Sequence, residues 1–223
     1  MIVAERKPFK EISEMVSGYS KLLLLGCGSC VTVCMAGGEK EVSVLASLLR
    51  LSNRKKGVSV QIEEATIERQ CDREFFEPVS SKVAWADAVL SLACGVGVQW
   101  CAELFPGKIV LPALNTKFFG VNESAGIYSE RCLGCGQCIV HKFGGICPVA
   151  RCSKSLMNGP CGGSQNGMCE VDPRNIQCGW QLIYDRMKLL GRLHELEQIE
   201  PMRDWRTGHF GGPRKIVKDI VRT

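Results

Sequence analysis

Three cysteines at three-residue spacing, Cys132, Cys135 and Cys138 in CLGCGQC, carry the clearest chemical signal in this chain. C-x2-C-x2-C lets three thiolates wrap one iron–sulphur cube while the intervening backbone N–H groups reach its sulphides. Leu133, Gly134, Gly136 and Gln137 suit that role, being small, flexible or apolar. Bacterial cluster-binding runs continue with x3-C-P, and here Cys147 stands before Pro148 after a longer gap of eight residues. Cys147 can therefore complete this cluster or belong to another site.

Cys152, Cys161, Cys169 and Cys178 follow, separated by eight, seven and eight residues, without the paired knuckles usual for zinc. Eight cysteines within forty-seven residues equal two sets of four, so the segment holds one site or two, iron–sulphur or zinc. Cys178 is assigned with Cys132, Cys135, Cys138 and Cys147 as a cofactor ligand, and Cys152, Cys161 and Cys169 as metal ligands. His141 can substitute for a thiolate, although a lone histidine is more often structural. His194 and His209 have no metal-binding context.

Six more cysteines lie in the first half. LLLLGCGSCVTVC, residues 22–34, runs an apolar strand into a glycine-bearing turn, as dinucleotide sites do. The third glycine of G-x-G-x-x-G is replaced by Val31, which disfavours that use. Cys27, Cys71 and Cys94 instead each follow a predicted strand. In an open parallel sheet such positions share the carboxyl edge, where ligands bind. Cys30 and Cys34 can reach the same space, giving five candidates for the four ligands of a [4Fe–4S] cluster or an all-thiolate zinc site. Cys101 falls inside an apolar helical pattern and reads as core packing.

The elements that must position these thiols are read from periodicity. KLLLLG (21–26), VSVQIEEATI (58–67), AVLSLA (88–93) and KIVLPAL (108–114) read as strands. Val42, Leu45, Ala46 and Leu49 recur at helical spacing, and Arg54, Lys55, Lys56 and Gly57 are stop signals. REFFEPVSSKVAWAD is predicted helical after its proline, and VGVQWCAELF as a short helix. The alternation argues an α/β fold: a small open parallel sheet with flanking helices. Residues 115–130 lose periodicity and read as a linker. Residues 131–178 lack a sustained apolar period and need cross-links to stay folded. GWQLIYDRMKLLGRLHELEQI, 179–199, reads as a helix. The expected organisation is 1–120 as a small α/β domain, 121–180 as a cysteine-rich metal-stabilised domain, and 181–223 as a C-terminal helix with a basic tail.

Composition bounds the function. The chain has 223 residues, 14 cysteines and a formal charge of +5. No signal architecture or membrane-length apolar run is visible, so a cytoplasmic location is expected, where thiols stay reduced and serve as metal ligands. From Pro201 onward Arg203, Arg206, Arg214, Lys215, Lys218 and Arg222 face only Asp204 and Asp219. Without a recognised binding motif, this bias does not argue for nucleic acid. Paired carboxylates, a Ser/His/Asp set and a P-loop lysine are all missing. The chemistry left is electron movement or metal-held scaffolding.

CPVARCSKSLMNGPCGGSQNGMCEVDPRNIQCGW, residues 147–180, resembles the MetV-type small subunit of acetogenic methylenetetrahydrofolate reductase. KSLMNGPCGG, CEVD and the following cysteine and tryptophan carry the likeness, and LLLLGCGSCVTVC fits the same family, extending it over nearly the whole chain. The resemblance implies a non-catalytic electron-transfer subunit of one-carbon (Wood–Ljungdahl) metabolism, holding two or three [4Fe–4S] clusters, with zinc an alternative at one cysteine site. It implies a MetF-type flavin-containing catalytic partner. The upstream electron donor would be ferredoxin, an NADH-oxidising subunit or a heterodisulfide-reductase-like module. Neither nucleic acid nor membrane insertion is expected. A zinc-stabilised docking scaffold without redox role is the alternative. The tail after Pro201, with Trp205 and Phe210, is a candidate embrace for the partner, so truncation at Glu200 is expected to weaken co-purification.

Overall fold

The computed structural model describes residues 1–218, in two compact units, the first Met1–Ser129 and the second starting at Glu130. In the first unit, β1 (Ile2–Arg6) and α1 (Phe9–Met15) precede β2 (Lys21–Cys27), α2 (Cys30–Val33) and α3 (Glu39–Lys56). β3 (Gln61–Ile67), α4 (Ser80–Trp85), β4 (Ala88–Leu92), α5 (Gly95–Leu104) and β5 (Ile109–Pro112) complete the α/β alternation. β6 (Leu114–Ser124) and β7 (Ile127–Cys132) follow.

The expected parallel sheet is present, in the order β3-β2-β4-β5. β2 is central, and Leu22 to Leu25 are all at most 1% exposed. Alternation sends them to opposite faces. Leu22 and Leu24 join Val42, Leu45, Ala46 and Leu49 of α3. Leu23 and Leu25 join Val79, Val83 and Cys101 on the other face. Each buried leucine contributes roughly 2 kcal/mol, which explains why the run has no polar face. Glu41 accepts a hydrogen bond from the Gly38 N–H at 3.0 Å to open α3, and Gly57 closes it where the basic run predicts.

Residues 115–130, expected as a linker, are instead mostly strand. β6 pairs antiparallel with β1, and the second sheet runs β1-β6-β7. β6 is LNTKFFGVNES, polar and largely exposed beyond Leu114. One thin apolar contact, through Phe118 and Tyr128, holds this sheet's outer part to the core, so no strong period-2 pattern marks it.

The second unit contains α6 (Pro148–Arg151) and α7 (Gly179–Leu189), with short 3-10 turns at Val140–Phe143, Leu193–Glu197, Trp205–Thr207 and His209–Gly211. Its core is small: Phe143, Trp180, Ile183 and Met187, with Cys178 beside them. Phe143 and Trp180 meet edge-on, with ring centroids 5.6 Å apart. The single helix expected over 179–199 stops earlier. Gly191 takes φ +68°, its N–H bonds the Lys188 carbonyl at 3.1 Å, and the Arg192 N–H bonds the Met187 carbonyl at 2.9 Å. This paired C-terminal motif ends α7 despite continuing leucine periodicity.

Candidate metal centres

Parallel pairing puts the carboxyl ends of β2, β3 and β4 on one edge. Cys27 ends β2, Cys71 lies four residues past β3, and Cys94 caps the start of α5 two residues past β4. Burial pushes the Cys27 thiol up, main-chain hydrogen bonding at Ser29 and Gln70 offsets part of this, and the neighbouring Cys94 and Cys71 thiols add a smaller raise. These three thiols therefore share one rim, as their strand ends predict. Cys30 opens α2 and is half-buried. Cys34 follows α2 and turns inward: its Sγ donates to the carbonyls of Ala4 at 3.5 Å and Val31 at 3.6 Å. Cys27 and Cys34 are equally buried in the same core, each 8% exposed, and burial raises both thiols; Cys34 differs in giving its Sγ to two main-chain carbonyls. Cys101 is fully buried in the opposite core, as expected from its helical context.

Gln70, invisible to motif reading, braces this rim. Fully buried, its Nε2 donates to the carbonyls of Leu25 at 2.8 Å and Gly26 at 3.1 Å. The residue next to Cys71 is therefore fixed to the end of β2.

In the second unit, Cys132, Cys135, Cys138 and Cys147 line one cavity of about 350 Å3. The chain thus closes the longer gap by bringing Cys147 back to the C-x2-C-x2-C loop. Backbone N–H groups already face the sulphurs: Gly134 donates to Cys132 Sγ at 3.3 Å, and Ala150 to Cys147 Sγ at 3.4 Å. Arg203 lines the same cavity and donates through Nη2 to Cys135 Sγ at 3.1 Å and to the Gln137 carbonyl. Its Nε is buried with no hydrogen-bond partner among the described residues. Four thiols, inward-facing amides and an unsatisfied buried donor fit an anionic iron–sulphur group.

Cys152, Cys161, Cys169 and Cys178 line a separate cavity of only about 10 Å3. That is the size of one water molecule. Cys178, expected with the C-x2-C-x2-C set, instead lines this cavity with Cys152, Cys161 and Cys169. Gly179 permits this closure, because a Cβ there would lie 2.3 Å from the Arg151 carbonyl oxygen. Ser153 Oγ lies 3.4 Å from Cys169 Sγ and lowers its thiol below the ordinary value. Cys161 Sγ is 3.5 Å from the Glu170 carboxylate, which pairs with Lys154. His141 is exposed and lines neither cavity. Among the described residues no three His, Cys, Asp or Glu side chains are gathered about one point as a formed ion site, so the thiols stand as cavity walls.

Part of the basic tail contacts the chain's own cysteine loop. Thr207 Oγ1 donates to the Cys135 carbonyl at 2.9 Å, and Arg214 Nη1 to the carbonyls of Thr207 at 2.6 Å and Gly134 at 3.4 Å. Arg203, Thr207 and Arg214 thus tie residues 203–214 to that loop as a strap; the side chains of Arg206, Arg214, Lys215 and Lys218 stay exposed, and Asp219 and Arg222 lie outside the described residues. No spacing signal announces Arg203 in the sequence.

Residues 111–206 match the protein family described as methylene-tetrahydrofolate reductase C terminal. The match spans all eight cysteines of the second unit and Arg203, and leaves the first 110 residues outside it. No curated protein and no solved structure matches the chain.

Proposed function

From this family relationship over residues 111–206, we propose that the chain is the iron–sulphur electron-transfer subunit of a methylenetetrahydrofolate reductase complex. The observation that carries the reading is the single cavity of about 350 Å3 walled by Cys132, Cys135, Cys138 and Cys147. Those four residues would hold a [4Fe–4S] cluster, and Cys27, Cys30, Cys71 and Cys94 a second at the sheet rim. A bound cluster supplies reversible one-electron storage. The chain's own residues orient it: Gly134 and Ala150 point N–H groups at sulphur, and Gln70 anchors the rim loop. Substrate reduction belongs to a flavin-bearing, MetF-type catalytic subunit, because this chain offers no constellation for it. A low-potential electron carrier, ferredoxin or an NADH-oxidising or heterodisulfide-reductase-like subunit, supplies the electrons. No helix among the described residues is long and apolar enough to cross a membrane.

The Cys152, Cys161, Cys169 and Cys178 set favours a different occupant. A space of about 10 Å3 suits one ion, and four thiolates are the donor set of structural zinc. Zinc there would cross-link a unit whose apolar core is only a few residues. A purely zinc-held docking scaffold is the rival reading. Anaerobic purification decides between them: brown protein with about eight iron atoms and one zinc per chain supports the proposal. Colourless protein carrying zinc alone overturns the redox role.

A further inference from the structure

We infer that Arg203 sets the reduction potential of the group held by Cys132, Cys135, Cys138 and Cys147, raising it by placing a fixed guanidinium against Cys135. The inference rests on the cluster reading above. Arg203 is only 8% exposed, and its side chain lines the cavity. One Nη2 reaches both Cys135 Sγ, at 3.1 Å, and the Gln137 carbonyl. The guanidinium lies over the Trp205 ring, 5.4 Å from its centroid, which fixes the plane. The adjacent Asp204 does not neutralise it, because that carboxylate is held by Arg206 at 2.9 and 3.0 Å.

A buried arginine without a carboxylate is costly unless an anion lies nearby. Four thiolates and their cluster provide that anion. Reduction by a one-electron donor protein adds one negative charge there, with no bond made or broken and no proton required. A cation at hydrogen-bond distance therefore stabilises the reduced form more than the oxidised one. Donation to Cys135 Sγ acts in the same direction, by withdrawing electron density from sulphur. Thr207 and Arg214 hold the strap in place.

The test is an anaerobic redox titration of the full chain, followed by electron paramagnetic resonance of the signal that Cys135→Ser abolishes. Arg203→Gln should move that midpoint to lower potential, leaving the site about tenfold less reduced at a fixed dye potential, or ~59 mV for one electron. Arg203→Lys, which keeps the charge and loses the planar fork, should restore part of the shift. If Arg203→Gln takes up too little iron to titrate, the Lys variant alone should still fall below wild type. A loaded site whose midpoint stays at the wild-type value in these variants overturns the role of Arg203 and leaves the cluster reading intact. Wild-type protein without iron at Cys132–Cys147 overturns both.

Discussion

The carboxamide oxygen of Gln70 accepts a 2.7 Å hydrogen bond from Ser91 Oγ, and both side chains are fully buried. Through its other end, Gln70 holds the Leu25 and Gly26 carbonyls. One amide therefore joins the ends of β2 and β4 to the loop that carries Cys71. Removing it leaves buried polar groups unpaired, at a cost of about 1–3 kcal/mol for each. Gln70→Ala should destabilise the chain by roughly 3 kcal/mol in urea denaturation, and Ser91→Ala by about 1 kcal/mol. Iron retained at the rim in Gln70→Ala, with unchanged stability, would remove the bracing role.

The two cysteine sets of the second unit should be separable by metal analysis. Cys135→Ser should lose about four iron atoms and keep zinc, whereas Cys161→Ser should lose zinc. Cys27→Ser should lose the rim cluster alone. Loss of both metals from Cys161→Ser at native-like circular dichroism would mean that the sets form one site.

Cys101 supplies a pH dependence. Burial pushes its thiol up to about 11. The unfolded chain releases this proton from about pH 8.5. Between these values the unfolded state holds fewer protons than the folded one, so stability present below the window is lost as pH rises. The contribution is about 3 kcal/mol, and Cys101→Ala should show a correspondingly shallower alkaline decline. Native protein should also leave Cys101 unmodified by iodoacetamide at neutral pH, since the thiol stays protonated and covered.

Gly136 tests the strap. It takes φ +83°, and a Cβ there would lie 2.1 Å from the Thr207 carbonyl oxygen. Gly136→Ala should lift residues 203–214 and make them the first site of limited proteolysis. A digestion pattern identical to wild type would show that the strap does not close there.

Truncation at Glu200 removes the same strap. Its expected first effect is loss of iron from the Cys132–Cys147 site, because Arg203 and Thr207 go with it. Weakened co-purification with a catalytic partner should follow from that loss. A truncated chain that keeps its iron but loses its partner would return the tail to a docking role.

The parallel core was legible because its signals are local. Leu22 to Leu25 announce a strand covered on both faces, and Val42, Leu45, Ala46 and Leu49 announce the helix that covers one of them. The antiparallel sheet was not legible, since β6 is polar and owes its conformation to β1, over a hundred residues away. Leucine spacing likewise overextended the last helix past Gly191, where a left-handed turn stops it.

The sequence by itself determined which chemistry is available. Ligand type and short spacing are covalent facts, so C-x2-C-x2-C and the cysteines after the first three predicted strands stand in the chain before it folds. The tertiary structure alone decided the grouping. It seated Cys147 with Cys132, Cys135 and Cys138, set Cys178 with Cys152, Cys161 and Cys169, and turned Cys34 inward. It also brought Arg203 across 68 residues to Cys135. Such pairings depend on where glycine turns and a small core return the chain, and closing a long loop leaves no mark in spacing.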